Sequence, residues 1–397
     1  ADAHKVLAAN AEPRESKKAF VWGEGSDNVS MFEERSKESE QEVVARAKKW
    51  RQQKFDAGFG WITGPVQYGG RGLSNEFEKA YGKVEAQFKV TNQSIFQIGL
   101  GMVAPTILAH ASDLAREKFL RAMWRADIVG CQLFSEPGAG SDLAALQTKA
   151  ERDGDEWVIN GHKWFTSGAR GAGFAIVIAR TDPDAEIPQA RNSAFIVDCD
   201  SAGFELVRDI ETMSGSHNHC EIRYTDVRVP KANLLGERGG GHKLGQVRLG
   251  PARLAHCMRW LGEIEMALEM LIDRAHKRFA HGSLLSEKQS IQWMMSDSAM
   301  ELYASKLMVL HAAYKIEQGM DFKQEVSMAK HHVANTLWRV CDRAMQVHGA
   351  LGYSTDSPLA GMLQQARWAR LADGADEVHK VSVARRILKE YEGRTVR

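Results

Sequence analysis

The chain has 397 residues, 44% of them hydrophobic and 26% charged, and its formal net charge at pH 7 is +1. This balance excludes a disordered chain, and the length allows two to three domains with cores of their own. The near-neutral charge without a basic stripe argues against a nucleic-acid partner, and the apolar runs are too short to span a membrane.

The first third of the chain has apolar residues at helical spacing. Between about residues 33 and 126, Phe77, Ala80, Tyr81 and Val84 are typical of this pattern, and Pro105 and pairs of glycines separate the segments. The pattern predicts an N-terminal helical domain over residues 1–130.

Past Gly130 the pattern changes to short runs rich in β-branched and aromatic residues. These runs predict strands at residues 157–159, 163–165, 174–178, 194–197 and 220–229. Asn160-Gly161 predicts a hairpin turn between the first two strands, because both residues tolerate a positive φ. Together the elements predict a compact β domain over residues 131–240.

Helical spacing returns after Gly241 and persists. Leu261, Ile264 and Leu268 lie on one broad apolar face, which predicts long helices packed on each other over residues 241–397. The three glycines at 239–241 mark the junction and lack the Lys-Ser/Thr of a phosphate-binding loop, which favours a hinge. Helices, then strands, then helices predict an α+β fold.

The five cysteines are far apart and odd in number, which favours reduced thiols over a disulfide framework. With no secretory segment at its start, the chain is expected to be soluble and intracellular: cytoplasmic in a bacterium, or in the mitochondrial matrix or peroxisome of a eukaryote. His217, His219, His331 and His332 have no ligand spacing with the cysteines, so no metal site is predicted.

The most informative segment runs from Leu133 to Asp142 (LFSEPGAGSD) and is followed by WFTSG at residues 164–168. Its proline and glycines predict a tight turn whose backbone a polar ligand can approach closely. Further motifs are YGGRG at 68–72, VP at 229–230, LGE at 235–237 and QVHGALG at 346–352. In this order they resemble the signature of the acyl-CoA dehydrogenase superfamily, flavoproteins that desaturate acyl thioesters.

The resemblance implies an N-terminal helical domain, a middle β-barrel domain and a C-terminal four-helix bundle. It also implies FAD as cofactor, an acyl-CoA substrate, an electron-transferring flavoprotein as acceptor and a role in fatty acid β-oxidation. A homodimer or homotetramer is expected, because in the family a neighbouring subunit completes each FAD site.

Residues on several motifs match FAD-binding positions of the family. By this match Ser135 contacts the flavin near N5, Trp164 and Thr166 cover and bond the ring edge, and Arg278 reaches the pyrophosphate with its planar fork of donors. Gln346 matches a residue of the neighbouring subunit. The full set implied for FAD is Phe134, Ser135, Gly140, Ser141, Trp164, Thr166, Arg278, His281, Gln289, Gln346, Gly349, Ala375 and Glu377.

The catalytic base is matched near the C-terminus. Most members of the family have Glu-Gly-Thr there, whereas this chain has ADGADE at residues 372–377, which makes Asp373 the implied base. Asp376 and Glu377 are weaker substitutes. Some branched-chain members instead place a glutamate before an arginine early in the bundle, but that position here is Ala252. The residues implied for acyl-CoA are Ser141, Gly250, Arg253, Ala372 and Gly374.

Asp373 is one methylene shorter than the usual glutamate. Its carboxylate would lie ~1.5 Å further from the substrate, a displacement that can cost on the order of a hundredfold in rate. Either the backbone lies closer or the substrate binds differently. The small residues Gly250, Ala252 and Ala372 suggest a roomier pocket for a branched or hydroxylated acyl chain. Burial beside apolar residues is expected to raise the pKa of Asp373.

The implied reaction is α,β-desaturation, in which Asp373 removes the α-proton and the β-hydride goes to N5 of the flavin. Solvent exclusion and donors to the enolate oxygen, among them the backbone N–H of Asp373, are needed for so weak an acid. Two alternatives stay open. Nitroalkane oxidases use an aspartate base, although their partner arginine corresponds to Lys380 here; a non-catalytic flavin-binding protein is the other.

Overall fold

The computed structural model describes residues 2–14, 37–213 and 219–392. The described residues divide into two compact units, of which the first ends at Arg248 and the second begins at Leu249. Among the described helices, none combines the length and the apolarity that a membrane crossing requires.

The first unit begins with helices. They are α1 (Asp2–Asn10), α2 (Lys37–Asp56), α3 (Asn75–Glu85), α4 (Ala104–His110) and α5 (Asp113–Arg125), and two short strands, β1 (Glu12–Pro13) and β2 (Phe88–Lys89), pair with each other. Helix α5 begins after Ser112, whose hydroxyl accepts a hydrogen bond from the Ala115 N–H, and ends at Ala126 in the left-handed conformation. The predicted helical character of this segment is confirmed.

A mixed sheet of eight strands follows. The strands are β3 (Gly130–Leu133), β4 (Lys149–Asp153), β5 (Glu156–Ser167), β6 (Phe174–Arg180), β7 (Asn192–Asp198), β8 (Phe204–Ile210), β9 (His219–Pro230) and β10 (Leu234–Leu235). Their order is β10-β7-β6-β4-β5-β9-β8, and β3 pairs with β6 in parallel. All five predicted strand segments lie within these strands.

Strand β6 is buried on both faces. Phe174 and Ile176 pack in one apolar cluster with the helices of the first unit, where the Phe119 and Phe174 rings lie 4.2 Å apart between centroids. The alternate residues Ala175 and Val177 pack in a second cluster on the other face. This alternation follows from the two-residue period of a strand, and it gives the sheet two separate cores.

The hairpin predicted at Asn160-Gly161 is wrong. Both residues lie inside β5, and the chain reverses instead between β4 and β5, where Gly154 has a φ of +59°. Asn160 exchanges two hydrogen bonds with Asp226 of β9, at 3.0 and 2.9 Å. A Cβ at Gly161 would lie 2.3 Å from the Thr148 hydroxyl oxygen, so the glycine permits close packing within the sheet and not a turn.

The second unit is helical. Helix α6 (Gly241–Lys277) starts in the first unit and continues into this one; it is followed by the hairpin β11 (Phe279–Ala280) and β12 (Ser283–Leu284) and by α7 (Gln289–Glu317), α8 (Lys323–His348), α9 (Ala350–Tyr353), α10 (Leu359–Ala369) and α11 (Asp376–Tyr391). Helix α8 packs against α7, α10 and α11 and contributes more than a third of the buried core of the unit. The predicted helical bundle is confirmed.

Candidate active site

A tight turn follows β3 in the first unit. Glu136 and Ala139 exchange two backbone hydrogen bonds of 3.0 and 3.1 Å, which close the turn around Pro137 and Gly138. The N–H of Trp164 donates to the carbonyl of Ser135 at 3.1 Å and ties this turn to β5. Pro137, Gly140 and Ser141 are exposed, so the rim of the turn is accessible.

A buried ion pair between Lys163 and Glu136 stabilises this turn. Nζ of Lys163, which is 0% exposed, lies 2.8 Å from Oε1 of Glu136 and also donates to the carbonyl of Phe134 at 3.0 Å. The Glu136 carboxylate further accepts from the backbone N–H groups of Gln147 and Thr148. Both charged groups of the pair thus have hydrogen-bond partners, as buried charges require.

Burial and pairing act on the titration of this pair. Burial lowers the pKa of Lys163 to about 8, against the opposing effect of the Glu136 carboxylate. Burial also raises the pKa of Glu136, but the Lys163 ammonium and the hydrogen bonds outweigh it, so that pKa is lowered. Both groups are therefore charged at neutral pH.

A β-bulge places the aromatic pair of β5. Lys163 faces Ile222 and Thr166 faces Cys220, so two residues of β5, Trp164 and Phe165, lie opposite one residue of β9. Phe165 has a φ of +50°, an uncommon conformation for an aromatic residue. The bulge breaks the alternation of the strand and leaves Trp164 partly accessible.

The residues of this region fit a flavin. The Oγ1 atom of Thr166 is buried and has no hydrogen-bond partner among the described residues, so it is a donor left for a ligand. A Cβ added at Gly138 or Gly140 would meet nothing within 4 Å, so a ligand can approach the backbone there. The predicted residues Phe134, Ser135, Gly140, Ser141, Trp164 and Thr166 all belong to this one region of the first unit.

Three predicted FAD residues lie around the β11–β12 hairpin of the second unit. Arg278 follows α6 directly, His281 has a φ of +51° in the turn, and Gln289 begins α7; all three are exposed. The Lys288 ammonium donates to the carbonyl of His281 and closes the segment. Gln346 and Gly349 are exposed at the end of α8, away from the hairpin in sequence.

Asp373 lies in the turn between α10 and α11 with a left-handed backbone, φ +52°. Two cations of the bundle hold its backbone: Nε of Arg253 donates to the carbonyl of Asp373 at 2.7 Å, and Nζ of Lys330 donates to the carbonyl of Gly374 at 2.6 Å. Aspartate is one of the few residues that adopt this conformation readily, which suits the shorter acid to this turn.

The carboxylate of Asp373 is 26% exposed and contacts a histidine. Nε2 of His256, on α6, lies 3.0 Å from its Oδ2. Burial raises the pKa of Asp373, but His256 together with the charges of Arg253 and Lys330 outweighs it, and the pKa is lowered. This is opposite to the direction predicted from burial, because the sequence does not reveal these three neighbours.

The two acids that follow have different surroundings. Asp376 is buried at the start of α11, where its Oδ2 accepts from Nε of Arg370 at 2.8 Å and from Nδ2 of Asn335 at 3.1 Å. Those bonds give it a structural role. Glu377, predicted as a cofactor contact, is exposed on the first turn of α11, and Ala375 is the residue before that helix.

The small residues of the predicted pocket do not all leave space. A Cβ at Gly250 would lie 2.8 Å from Cε2 of Phe322, so a ring occupies the room that the glycine was expected to open. Ala252 and Ala372 are partly exposed. Arg253, predicted as a substrate contact, serves the turn through its bond to the Asp373 carbonyl.

The sequence interpretation missed the residues that support the two sites. Glu136 and Lys163 hold the Ser135 turn; His256 and Lys330 surround Asp373. One signal was available: Arg253, His256 and Trp260 recur at helical spacing on α6, and a polar residue at such core-facing positions indicates a buried partner.

Comparison with known proteins decides the family. The model of the acyl-CoA dehydrogenase middle domain matches residues 131–227, and that of the acyl-CoA dehydrogenase C-terminal domain matches residues 239–388. The chain belongs to the acyl-CoA dehydrogenase family.

Individual relatives agree. A probable acyl-CoA dehydrogenase, FadE2, of Mycobacterium tuberculosis is 40% identical over 281 residues, which cover 69% of each chain. Acyl-CoA dehydrogenase family member 11 of Rattus norvegicus is 33% identical over 290 residues, but these cover 71% of this chain and only 37% of the rat protein. An acyl-CoA dehydrogenase structure from Geobacillus kaustophilus superposes with a TM-score of 0.77 at 27% identity, over 87% of this chain and 92% of that one.

The chain is an oxidoreductase that acts on acyl-CoA, and its cofactor is FAD. Within the described residues, no group of three or more His, Cys, Asp or Glu side chains is arranged to hold a metal ion. His217 lies outside the described residues.

Proposed function

We propose that this acyl-CoA dehydrogenase desaturates the α,β-bond of an acyl-CoA thioester and that Asp373 is the base. The observation that supports this assignment is the pair of hydrogen bonds from Arg253 and Lys330 to consecutive carbonyls, at Asp373 and Gly374. They fix the two peptide groups that follow a carboxylate which stays ionised and accessible. A fixed, charged acid on a turn that is held by one buried and one partly buried cation is typical of a reacting group.

Each residue has a definable task in the reaction. Asp373 takes the α-proton as the C–H bond breaks, and the electron pair moves onto the thioester as an enolate. No hydrogen bond from the Asp373 backbone N–H is found among the described residues, so this donor is available to the enolate oxygen. FAD, when bound, supplies the acceptor for the hydride of the β-carbon.

The flavin contacts are part of the same proposal. We assign Ser135, Trp164 and Thr166 to the ring, and Arg278 with the β11–β12 hairpin to the diphosphate. The unpartnered Thr166 hydroxyl and the exposed guanidinium support these roles. The acyl chain is proposed to be branched or hydroxylated because Ala252 and Ala372 are small.

The protein is proposed to be a homodimer or homotetramer that passes electrons to an electron-transferring flavoprotein. An apolar stripe on α7 supports self-association, because large side chains that are half-exposed or more recur there, mostly three or four residues apart, on one face of the helix. Its members are Trp293, Met300, Tyr303, Leu307, Leu310 and Tyr314. Light scattering of Leu307→Glu/Leu310→Glu should then give a smaller species than the parent protein.

We further propose domain boundaries near residues 130 and 240, and an intracellular location. All five cysteines are free, as expected for a reducing compartment.

Anaerobic mixing of the FAD-loaded protein with a panel of acyl-CoAs tests the function. Bleaching of the flavin by an acyl-CoA, abolished in Asp373→Asn but not in the exposed control Asp356→Asn, is the expected result. Free release of peroxide with a nitroalkane substrate would instead indicate an oxidase. No bleaching with any acyl-CoA or nitroalkane, despite bound FAD, would indicate a non-catalytic flavoprotein.

A further inference from the structure

His256 of α6 contacts Asp373 in the turn between α10 and α11. His256 lies one turn after Arg253 on α6, and its Nε2 is 3.0 Å from Oδ2 of Asp373. The histidine side chain is only 16% exposed. A polar side chain so placed in an apolar bundle needs partners on both ring nitrogens.

Two tryptophans fix the plane of the imidazole. Trp260 stacks on His256 with 5.3 Å between centroids and 21° between planes, and Trp368 of α10 meets it edge-on at 5.6 Å and 68°. Because Trp260 is itself buried in the main core of the bundle, the imidazole ring of His256 cannot rotate unless that core repacks.

The other ring nitrogen determines the tautomer. Nη2 of Arg259 lies 2.7 Å from Nδ1 of His256. A guanidinium can only donate, so Nδ1 accepts and the ring proton is carried by Nε2, the nitrogen beside Asp373. Arg259, His256 and Asp373 thus form a continuous polar chain along one side of α6.

The contact with His256 differentiates the two carboxylate oxygens. Oδ2 is the carboxylate oxygen nearest Nε2 of His256, at 3.0 Å, and no hydrogen bond to Oδ1 is found among the described residues. The charged and titratable groups around the pair are Arg253, Cys257, Arg259 and Glu263 of α6, Lys330 of α8, and Asp376 and His379 of α11.

We propose that His256 is a positioning residue for Asp373: it holds Oδ2 and thereby presents Oδ1 as the oxygen that takes the α-proton. The inference rests on the proposed function. In this step the α C–H bond breaks, the proton bonds to Oδ1, and the electron pair stays on the substrate as its enolate. His256 donates throughout and does not itself take the proton.

The test compares the pH dependence of kcat/KM for the parent, His256→Ala and His256→Gln, with exposed His311→Ala on α7 as the matched control. Loss of the Nε2 donor should move the acid limb of His256→Ala upward by about one pH unit and lower kcat by about tenfold or more. In His256→Gln the side-chain amide can donate from a similar position, so this variant should recover part of the parent kcat and reverse part of the shift in the acid limb. A purely structural role would lower the yield of folded protein without moving the limb.

Exchange of the α-proton with deuterated solvent, measured on the acyl-CoA in the absence of an electron acceptor, reports the base step alone. Slow exchange in both His256→Ala and Asp373→Asn is expected. If Asp373→Asn abolishes exchange while His256→Ala keeps the parent rate and acid limb, the positioning role is wrong and the base stands. If Asp373→Asn exchanges as fast as the parent, the proposed base itself is wrong. Should His256→Ala not fold, Arg259→Met, which removes the donor to Nδ1, replaces it with the same expectations in weaker form.

Discussion

Nζ of Lys330 donates a 2.6 Å hydrogen bond to the carbonyl of Gly374, although the lysine is 1% exposed. Burial lowers the pKa of Lys330 to about 8, and the nearby carboxylates of Asp376 and Asp373 only partly oppose that effect. Burying an ammonium costs free energy, and an apolar residue of similar size would avoid this cost. The lysine is therefore best explained by the turn that it holds.

Lys330→Met should separate stability from activity. Removal of a buried charge should leave the melting temperature within a few degrees of the parent or raise it, whereas kcat/KM should fall by ~10- to 100-fold as the turn shifts. Acyl-CoA turnover and thermal unfolding measure the two effects, with exposed Lys389→Met on α11 as control. Parental turnover in Lys330→Met would show that the turn keeps its shape without this bond.

Gly374→Ala should destabilise the same turn. Gly374 has a φ of +105°, and an added Cβ would lie 2.9 Å from Nε2 of His379. We expect a loss of about 1–3 kcal/mol in the free energy of unfolding. Chemical denaturation measures it, and Gly361→Ala, a helical site where a Cβ meets nothing within 4 Å, should be neutral or slightly stabilising. An equal change in the free energy of unfolding at both positions would show that Gly374→Ala does not strain the turn.

Lys163→Met should unfold or loosen the Ser135 turn. It leaves the buried Glu136 carboxylate without a counter-charge, which typically costs about 3–5 kcal/mol. The melting temperature and the flavin absorbance of the purified variant should both be lower than those of the parent protein. By contrast, Arg228→Ala, which removes the exposed pairs with Asp153 and Glu156, should cost less than about 1 kcal/mol.

Thr166→Val should weaken FAD binding without harm to the fold. The hydroxyl of Thr166 is buried without a partner among the described residues, so its replacement by a methyl removes an unsatisfied group. FAD affinity should fall by about tenfold, the value of one hydrogen bond. Titration of the apoprotein by fluorescence measures it, with Ser167→Ala as control, since that hydroxyl already pairs with His219. Unchanged affinity would remove Thr166 from the flavin site.

The stability of the protein should fall between pH 6.5 and 4 partly through His379. Burial, helped by the charges of Lys330 and Arg253, lowers the pKa of His379 from 6.5 to about 4. In this window the unfolded chain takes up a proton that the folded chain refuses, so stability is lost as the pH falls. His379→Gln should reduce the slope of unfolding free energy against pH by about 1.4 kcal/mol per unit. If His379→Gln keeps the parent slope of unfolding free energy against pH, His379 is not a source of this pH dependence.

The order of the elements could be predicted because apolar residues recur with different periods in strands and in helices. The motifs of the sequence led to the family. Prediction failed where long-range contacts decide. Asn160-Gly161 has the composition of a turn, but Asn160 pairs with the distant Asp226 and Gly161 packs against Thr148, and these contacts hold both residues in a strand. Gly250 indicated space, whereas Phe322, the residue just before α8, fills it. The pKa of Asp373 was predicted in the wrong direction because its neighbours come from α6 and α8.

The two cations at the α10–α11 turn bind main-chain oxygens, not the acid itself. A substitution at residue 373 therefore leaves both bonds intact, so the reacting head group can be exchanged while its scaffold persists. The exchange is limited to residues that adopt the left-handed backbone readily, such as asparagine, so the chemistry at this site can diverge more easily than the length of the acid.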